Sequence, residues 1–178
     1  MTSLSGYRSK NIILTGFMGT GKSTIGQLVA AKLKREFIDM DTLIEQREGR
    51  TITQIFAESG EPYFRQLEAN LCRELAQQVD LVIATGGGAL VPKTNLRVME
   101  EGGLVICLDC EPDTLWQRIG QSENRPMLAD QDEERFARLK ALLEQRAPAY
   151  ARIKHHLDVT HLSPKEAATK VYEWANDE

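Results

Sequence analysis

The stretch "NIILTGFMGTGKSTIGQLVAAKLKR", residues 11–35, decides the fold. It opens on an apolar, β-branched run, passes through glycines, and ends in a run whose apolar residues recur at helical spacing. Between strand and helix lies the pattern G-x-x-x-x-G-K-[ST], from Gly16 to Ser23. The glycines let backbone N–H groups curl around phosphate oxygens, and the following helix adds its positive N-terminal end. Lys22 can reach the β- and γ-phosphates of a nucleotide, and Ser23 offers a hydroxyl to a magnesium ion. A turn that merely joined two elements would account for Gly19 and Gly21 but not for Lys-Ser-Thr at the helix start.

Outward from this stretch, short β-rich runs recur at 36–41, 80–85, 104–109 and 156–160, each separated by helical segments. Leu81-Val82-Ile83-Ala84 is apolar without alternation, as suits a strand covered on both faces. The expected fold is therefore α/β: a three-layer sandwich around a five-stranded parallel sheet. Thr51 with Gln54 and Ser163 with Glu166 fit capping boxes, and Pro62 and Pro164 sit as first-turn prolines. Phe64, Leu67, Leu71 and Leu75 mark the buried face of one helix, with Glu68 a turn beyond Arg65 and able to pair with it. The helical run 133–146 is expected to end near Arg146, because Pro148 follows. Residues 120–134, "GQSENRPMLADQDEE", are polar with few anchors and read as a mobile loop.

The 178 residues fit one domain, 1–178, and no apolar run approaches the ~20 residues of a membrane span. Hydrophobic residues make up 42%, charged residues 27%, and the net charge is −4, which excludes a broad attraction to nucleic acid or anionic membrane. Any anion must be held locally. The first ten residues lack a secretory or mitochondrial leader pattern, and three cysteines suit a reducing compartment, so the expected location is the cytoplasm. Cys107 and Cys110 spell C-x-x-C, but Cys107 sits within an apolar run and reads as core.

Two acids, Asp39 and Asp41, stand two apart in "FIDMD". On a strand they would share a face, roughly 7 Å apart, at the carboxyl end where ligands of open α/β sheets bind. One could serve metal and the other substrate. Asp109, ending "LVICLD", reads as a strand-end or helix-entry residue. Gly86, Gly87 and Gly88 follow the third strand, where they would let a flat hydroxylated ring approach the main chain as the floor of an acceptor pocket.

Taken together, "GFMGTGKST", "FIDMD", "IFAESGEPYFRQLE", "TGGGA", "RPML" and "RAPAY" resemble the shikimate kinases, over about residues 11–158. The resemblance implies a nucleoside monophosphate kinase-like P-loop fold, with an acceptor-binding segment at about 42–70 and a lid at about 120–134. It implies MgATP-dependent phosphorylation of the 3-hydroxyl of shikimate, giving shikimate 3-phosphate and ADP for chorismate and aromatic amino-acid biosynthesis. Carried over by position, ATP phosphates go to Gly19, Thr20, Gly21, Lys22, Ser23 and Thr24, and magnesium to Ser23 with Asp39 behind it through water. Asp41 meets the acceptor hydroxyl, Arg65 and Arg146 its carboxylate, and Gly86 to Gly88 line its turn. Arg125 becomes the lid residue that swings onto the phosphates, and Arg118 an adenine contact. Catalysis falls to Lys22, Asp41 and Arg125. The partners implied are the small molecules shikimate and ATP, with no nucleic acid and no membrane, on a monomer. The lid departs from the commoner Leu-Leu with Met-Leu, and no arginine occupies 160–164, where the family places a second adenine contact.

Kinases for quinate, gluconate or a nucleoside monophosphate are the neighbouring alternatives. A nucleotide-dependent switch is an alternative from a different class. The switch would need an N-K-x-D motif or a water-positioning glutamine after a switch loop, and the sequence has neither.

Overall fold

The computed structural model describes residues 10–122 and 129–177, with the side chains of 121–122, 129–131 and 177 not described. Its elements alternate: β1 (Asn11–Gly16), α1 (Lys22–Leu33), β2 (Glu36–Asp39), α2 (Met40–Glu48), α3 (Ile52–Ser59), α4 (Glu61–Ala76), β3 (Leu81–Ala84), α5 (Lys93–Gly102), β4 (Gly103–Asp109), α6 (Pro112–Ser122), α7 (Ala129–Tyr150), β5 (His155–Asp158) and α8 (Pro164–Asp177). The five strands form one sheet in the order β2-β3-β1-β4-β5, and every pairing is parallel. The strand that precedes the glycine-rich loop is thus central.

Strand pleating divides the core into two. Ile13, Leu81, Ile83, Val105 and Cys107 face a layer that includes Met40, Ile55, Phe64, Leu71, Leu75, Leu96, Leu115 and Leu139. Ile12, Leu14, Val82, Leu104, Ile106 and Leu108 face Ile25 and Val29 of α1 and Ala167, Ala168 and Val171 of α8. This is the expected three-layer sandwich. Both capping boxes form, with the Gln54 amide N–H donating to Thr51 Oγ1 at 3.2 Å and the Glu166 N–H to Ser163 Oγ at 3.3 Å.

Three local expectations are corrected. The second strand stops at Asp39, so Asp41 lies in the first turn of α2 and not on a strand beside Asp39. Asp39 ends the strand by capping: its Oδ1 accepts from Thr42 N–H at 3.2 Å, while Met40 and Ile44, four apart, bury one helical face. Helix α7 runs past Pro148 to Tyr150. The proline ring is exposed, and Ala151 N–H still reaches Ala147 O at 2.9 Å, so one missing donor near the end leaves the last turn intact. Residues 120–122 close α6 and 129–134 open α7, while 123–128 of the expected loop lie outside the described residues. Asp132 and Glu133 fall near the positive end of α7, where carboxylates favour helix.

Asn11 ties three elements at the sheet's lower edge. Fully buried, it donates to Leu75 O at 3.2 Å and Gln78 O at 2.9 Å, and its Oδ1 accepts from Leu81 N–H at 3.0 Å. Asn11→Ala strands a buried N–H and two carbonyls, and a loss of about 2–4 kcal/mol is expected in urea unfolding. A loss under 0.5 kcal/mol, ~ the noise of surface substitutions, would show that water replaces these bonds.

Candidate active site

The chain leaves β1 through Gly16–Thr24 and enters α1 at Lys22, after Gly21 in the left-handed region (φ 91°). No side chain caps this helix, so its first N–H groups face outward from a glycine turn. Thr20 is buried and turns its hydroxyl back onto Phe17 O at 2.8 Å, which leaves its backbone to line the cradle. Lys22 Nζ folds over the loop and donates to Gly16 O and Phe17 O, both at 2.9 Å. Burial lowers its pKa to about 8, against the pull of Asp41 and Asp39. An anion at the cradle would compensate that desolvated ammonium.

Beside the loop, Ser23 Oγ donates to Asp39 Oδ2 at 2.5 Å. The two oxygens are a hard donor set of the kind magnesium takes in phosphate sites. Asp41 is placed differently: its Oδ1 is buried and accepts no hydrogen bond. Burial raises its pKa, Asp39 adds to the shift, Lys22 opposes it, Glu45 raises it further and Arg65 lowers it. Thr15 Oγ1 and Thr85 Oγ1 are likewise buried without partners.

The three glycines explain how the charged groups converge. A Cβ on Gly86 would lie 2.7 Å from Asp41 Oδ1 and 3.0 Å from Glu68 Oε1. One on Gly87 would lie 3.0 Å from an Arg146 Nη, and one on Gly88 would lie 2.7 Å from an Arg65 Nη. None of the three has a positive φ, so space and not backbone conformation demands glycine here. The nearest neighbours of these positions within the chain are Asp41, Glu68, Arg65 and Arg146.

Each arginine is held in turn. Arg65 Nη1 donates to Glu68 Oε2 at 2.7 Å, and Nε and Nη2 donate to Glu61 Oε1 at 3.1 and 3.0 Å. Two of its five N–H donors are then left over among the described contacts. Arg146 lies over the Phe17 ring with its guanidinium 5.5 Å from the centroid. One turn on, Tyr150 Oη donates to Gly87 O at 2.6 Å, so α7 is bonded to the glycine turn. Arg118 stands apart, donating to Val159 O at 2.9 Å near the end of β5. Arg125 lies outside the described residues.

Two contributors escaped the sequence reading. Glu68 was expected only as an ion-pair partner; it is 2% exposed, with its pKa raised by burial and lowered in part by Arg65. Its place in the apolar series 64, 68, 71, 75 was the available signal. Tyr150 carried no signal of its own. The C-x-x-C reading as core holds for Cys107, which is buried and whose thiol burial pushes far up, with Asp109 adding to the shift.

A phosphate loop on the central strand of a 2-3-1-4-5 parallel sheet, with acids and arginines gathered at the carboxyl edge, defines a P-loop kinase of the nucleoside monophosphate kinase-like class. The particular family is shown by comparison with known proteins. The shikimate kinase family model matches residues 18–176. The chain is 42% identical to a shikimate kinase of Pelotomaculum thermopropionicum over 162 residues, 91% of this chain and 93% of that one. It is 45% identical to one from Salinibacter ruber over 155 residues, covering 83% and 76%. Among solved structures, shikimate kinase from Acinetobacter baumannii in complex with shikimate superposes with a TM-score of 0.84 at 35% identity, covering 94% of this chain and 93% of that one. A gluconokinase from Sinorhizobium meliloti, at 16% identity and a TM-score of 0.56 over 97% of each chain, shares the fold alone. The chain belongs to the shikimate kinase family.

The raised pKa of Asp41 has a measurable sign. Its folded-state value lies above the ordinary 3.8, so its stabilising contribution is complete below 3.8 and is lost as pH rises through the folded value. Asp41→Asn should therefore raise the melting temperature at pH 7, with the gain shrinking toward pH 3.8, while phosphoryl transfer is lost. Calorimetry showing no gain at pH 7 would mean that Lys22 fully offsets the burial of this carboxylate.

Proposed function

We infer that this enzyme transfers the γ-phosphoryl group of ATP to the 3-hydroxyl of shikimate, giving shikimate 3-phosphate and ADP on the route to chorismate. The observation that carries the reading is the convergence, on one glycine turn beside a phosphate loop, of a carboxylate with one buried oxygen that accepts no hydrogen bond and of two arginines. That set matches a small acid carrying hydroxyl groups.

In this reading the backbone from Gly19 to Thr24 holds the nucleotide phosphates, and Lys22 neutralises charge on the transferring group. Ser23 and Asp39 would hold magnesium, the first directly and the second through water. The ion would supply charge neutralisation to the phosphates. The Asp41 carboxylate accepts the hydrogen of the acceptor hydroxyl and aims its oxygen at the phosphoryl group. Arg65, steadied by Glu68 and Glu61, and Arg146, steadied on Phe17, take the carboxylate, for which planar guanidinium groups are suited. Gly86 to Gly88 bring all of these within reach of one small ligand. Arg118 lies near the strand end proposed for adenine, where its bond to Val159 O orients it. Arg125 is proposed to meet the phosphates from the 120–134 stretch, on the family resemblance.

The chain is proposed to work as one domain, in which 42–70 moves with the acceptor. A monomer is proposed on the family resemblance alone. Three free thiols and the use of ATP support the cytoplasm.

Incubation with MgATP and shikimate, followed by product analysis, tests the reaction directly. Shikimate 3-phosphate is expected, and turnover of gluconate or quinate in its place would replace the acceptor assignment. Each charge-assisted pair contributes about 1.5–3 kcal/mol, so the carboxamide of shikimate should lose roughly two to four orders of magnitude in kcat/KM. Equal turnover of acid and amide would remove Arg65 and Arg146 from carboxylate binding. Gly88→Ala should displace Arg65 and raise KM for the acceptor about tenfold, ~1.4 kcal/mol, with KM for ATP unchanged; steady-state kinetics with each substrate varied in turn checks this.

A further inference from the structure

Beside the phosphate loop, and using none of the groups assigned to it, Cys107, Asp109 and His156 place their donor atoms within 4.8 Å of one another. The fold makes this meeting. Cys107 and Asp109 are two apart on β4 and project to the same face, and the parallel register sets His156 of β5 against Cys107. We propose that these three side chains form a binding site for a borderline-soft divalent cation of the Zn²⁺ or Co²⁺ kind. It opens into the cleft of about 410 Å³ that Asp109 and His156 share with Phe17, Thr20 and Tyr150.

The histidine carries the argument. Its Nε2 lies 3.0 Å from Ile153 O, a carbonyl that only an N–H can satisfy. Its Nδ1 lies 2.7 Å from Asp109 Oδ2, a hydrogen-bond contact that a cation would replace, the two donor atoms moving apart to the spacing of a coordinated pair. A backbone carbonyl that holds the far N–H and directs the other nitrogen at a ligand is the usual support of a metal-bound imidazole. Cys107 Sγ is 3.6 Å from Asp109 Oδ1. Tetrahedral bonds of ~2.0–2.3 Å place donor atoms roughly 3.5 Å apart, so small rotations suffice to enclose an ion.

Access and selectivity agree. The Asp109 and His156 side chains are 45% and 34% exposed, and the cleft leaves room for a fourth, exogenous ligand. Thiol and imidazole donors favour zinc-like ions over magnesium, which prefers all-oxygen sets such as Ser23 with Asp39. Binding exchanges the thiol proton, and the proton held between Nδ1 and Oδ2, for the cation; no electron is transferred. Cys110, three residues beyond Cys107, is outside the cluster, so the C-x-x-C spacing plays no part.

The test uses the full chain freed of metals by a chelator, without nucleotide or magnesium, titrated with Co²⁺. One ion per chain is expected, with a thiolate-to-cobalt charge-transfer band in the near ultraviolet that Zn²⁺ abolishes and excess Mg²⁺ leaves in place. Cys107→Ser should remove the band. His156→Gln, made on a half-exposed side chain that leaves the core untouched, should weaken binding at least tenfold. Cys72→Ser and Cys110→Ser should keep the band. Absence of stoichiometric binding overturns the proposal, and so does a band that survives Cys107→Ser or that disappears with Cys110→Ser. These readouts are spectroscopic, so they stand or fall separately from the acceptor assigned above.

Discussion

Three consecutive positions without a Cβ, after a buried strand, let four charged side chains meet on one turn. At Gly86 the space goes to Asp41 and Glu68, at Gly87 to Arg146 and at Gly88 to Arg65. These groups come from α2, α4 and α7. The turn is also pinned from above by Tyr150, whose hydroxyl bonds Gly87 O. A side chain at any of the three positions would push a charge away from the pocket before it obstructed a ligand.

This crowding has an electrostatic logic. The chain is acidic overall, so positive charge must be concentrated where anions bind. Burial makes each charge there costly to the empty protein: it lowers the Lys22 pKa to about 8 and raises that of Asp41. In the proposed function the ligands would supply the missing partners, phosphates for Lys22 and a hydroxyl for Asp41, so that the desolvation carried by the fold would be offset by the molecules bound there.

The second group of donors, on β4 and β5, follows from the same sheet geometry. Parallel register places Cys107 against His156, as it places Asp39 against Ala84 at the other edge. The carboxyl end of the sheet gathers polar groups from successive strands, and the phosphate loop on β1 lies between these two clusters.

Much of this was legible in the linear chain, because the signals are local. A strand, a glycine loop and a helix in immediate succession identify a phosphate cradle, since its parts are contiguous. Apolar runs without alternation mark strands covered on both faces, and the capping boxes mark helix starts within four residues. Local signals also misled: alternation placed Asp41 on a strand, whereas Asp39 caps a helix there, and Pro148 suggested a stop that an exposed ring near a helix end does not impose. What the sequence determined, then, was the fold class and the nucleotide loop. What only the tertiary structure decided was why three glycines stand together, that Glu68 is buried behind Arg65, and that Cys107, Asp109 and His156 touch. Those arrangements depend on residues tens of positions apart, Gly88 near Arg65, Gly87 near Arg146 and Asp109 against His156, brought together by strand register and helix packing.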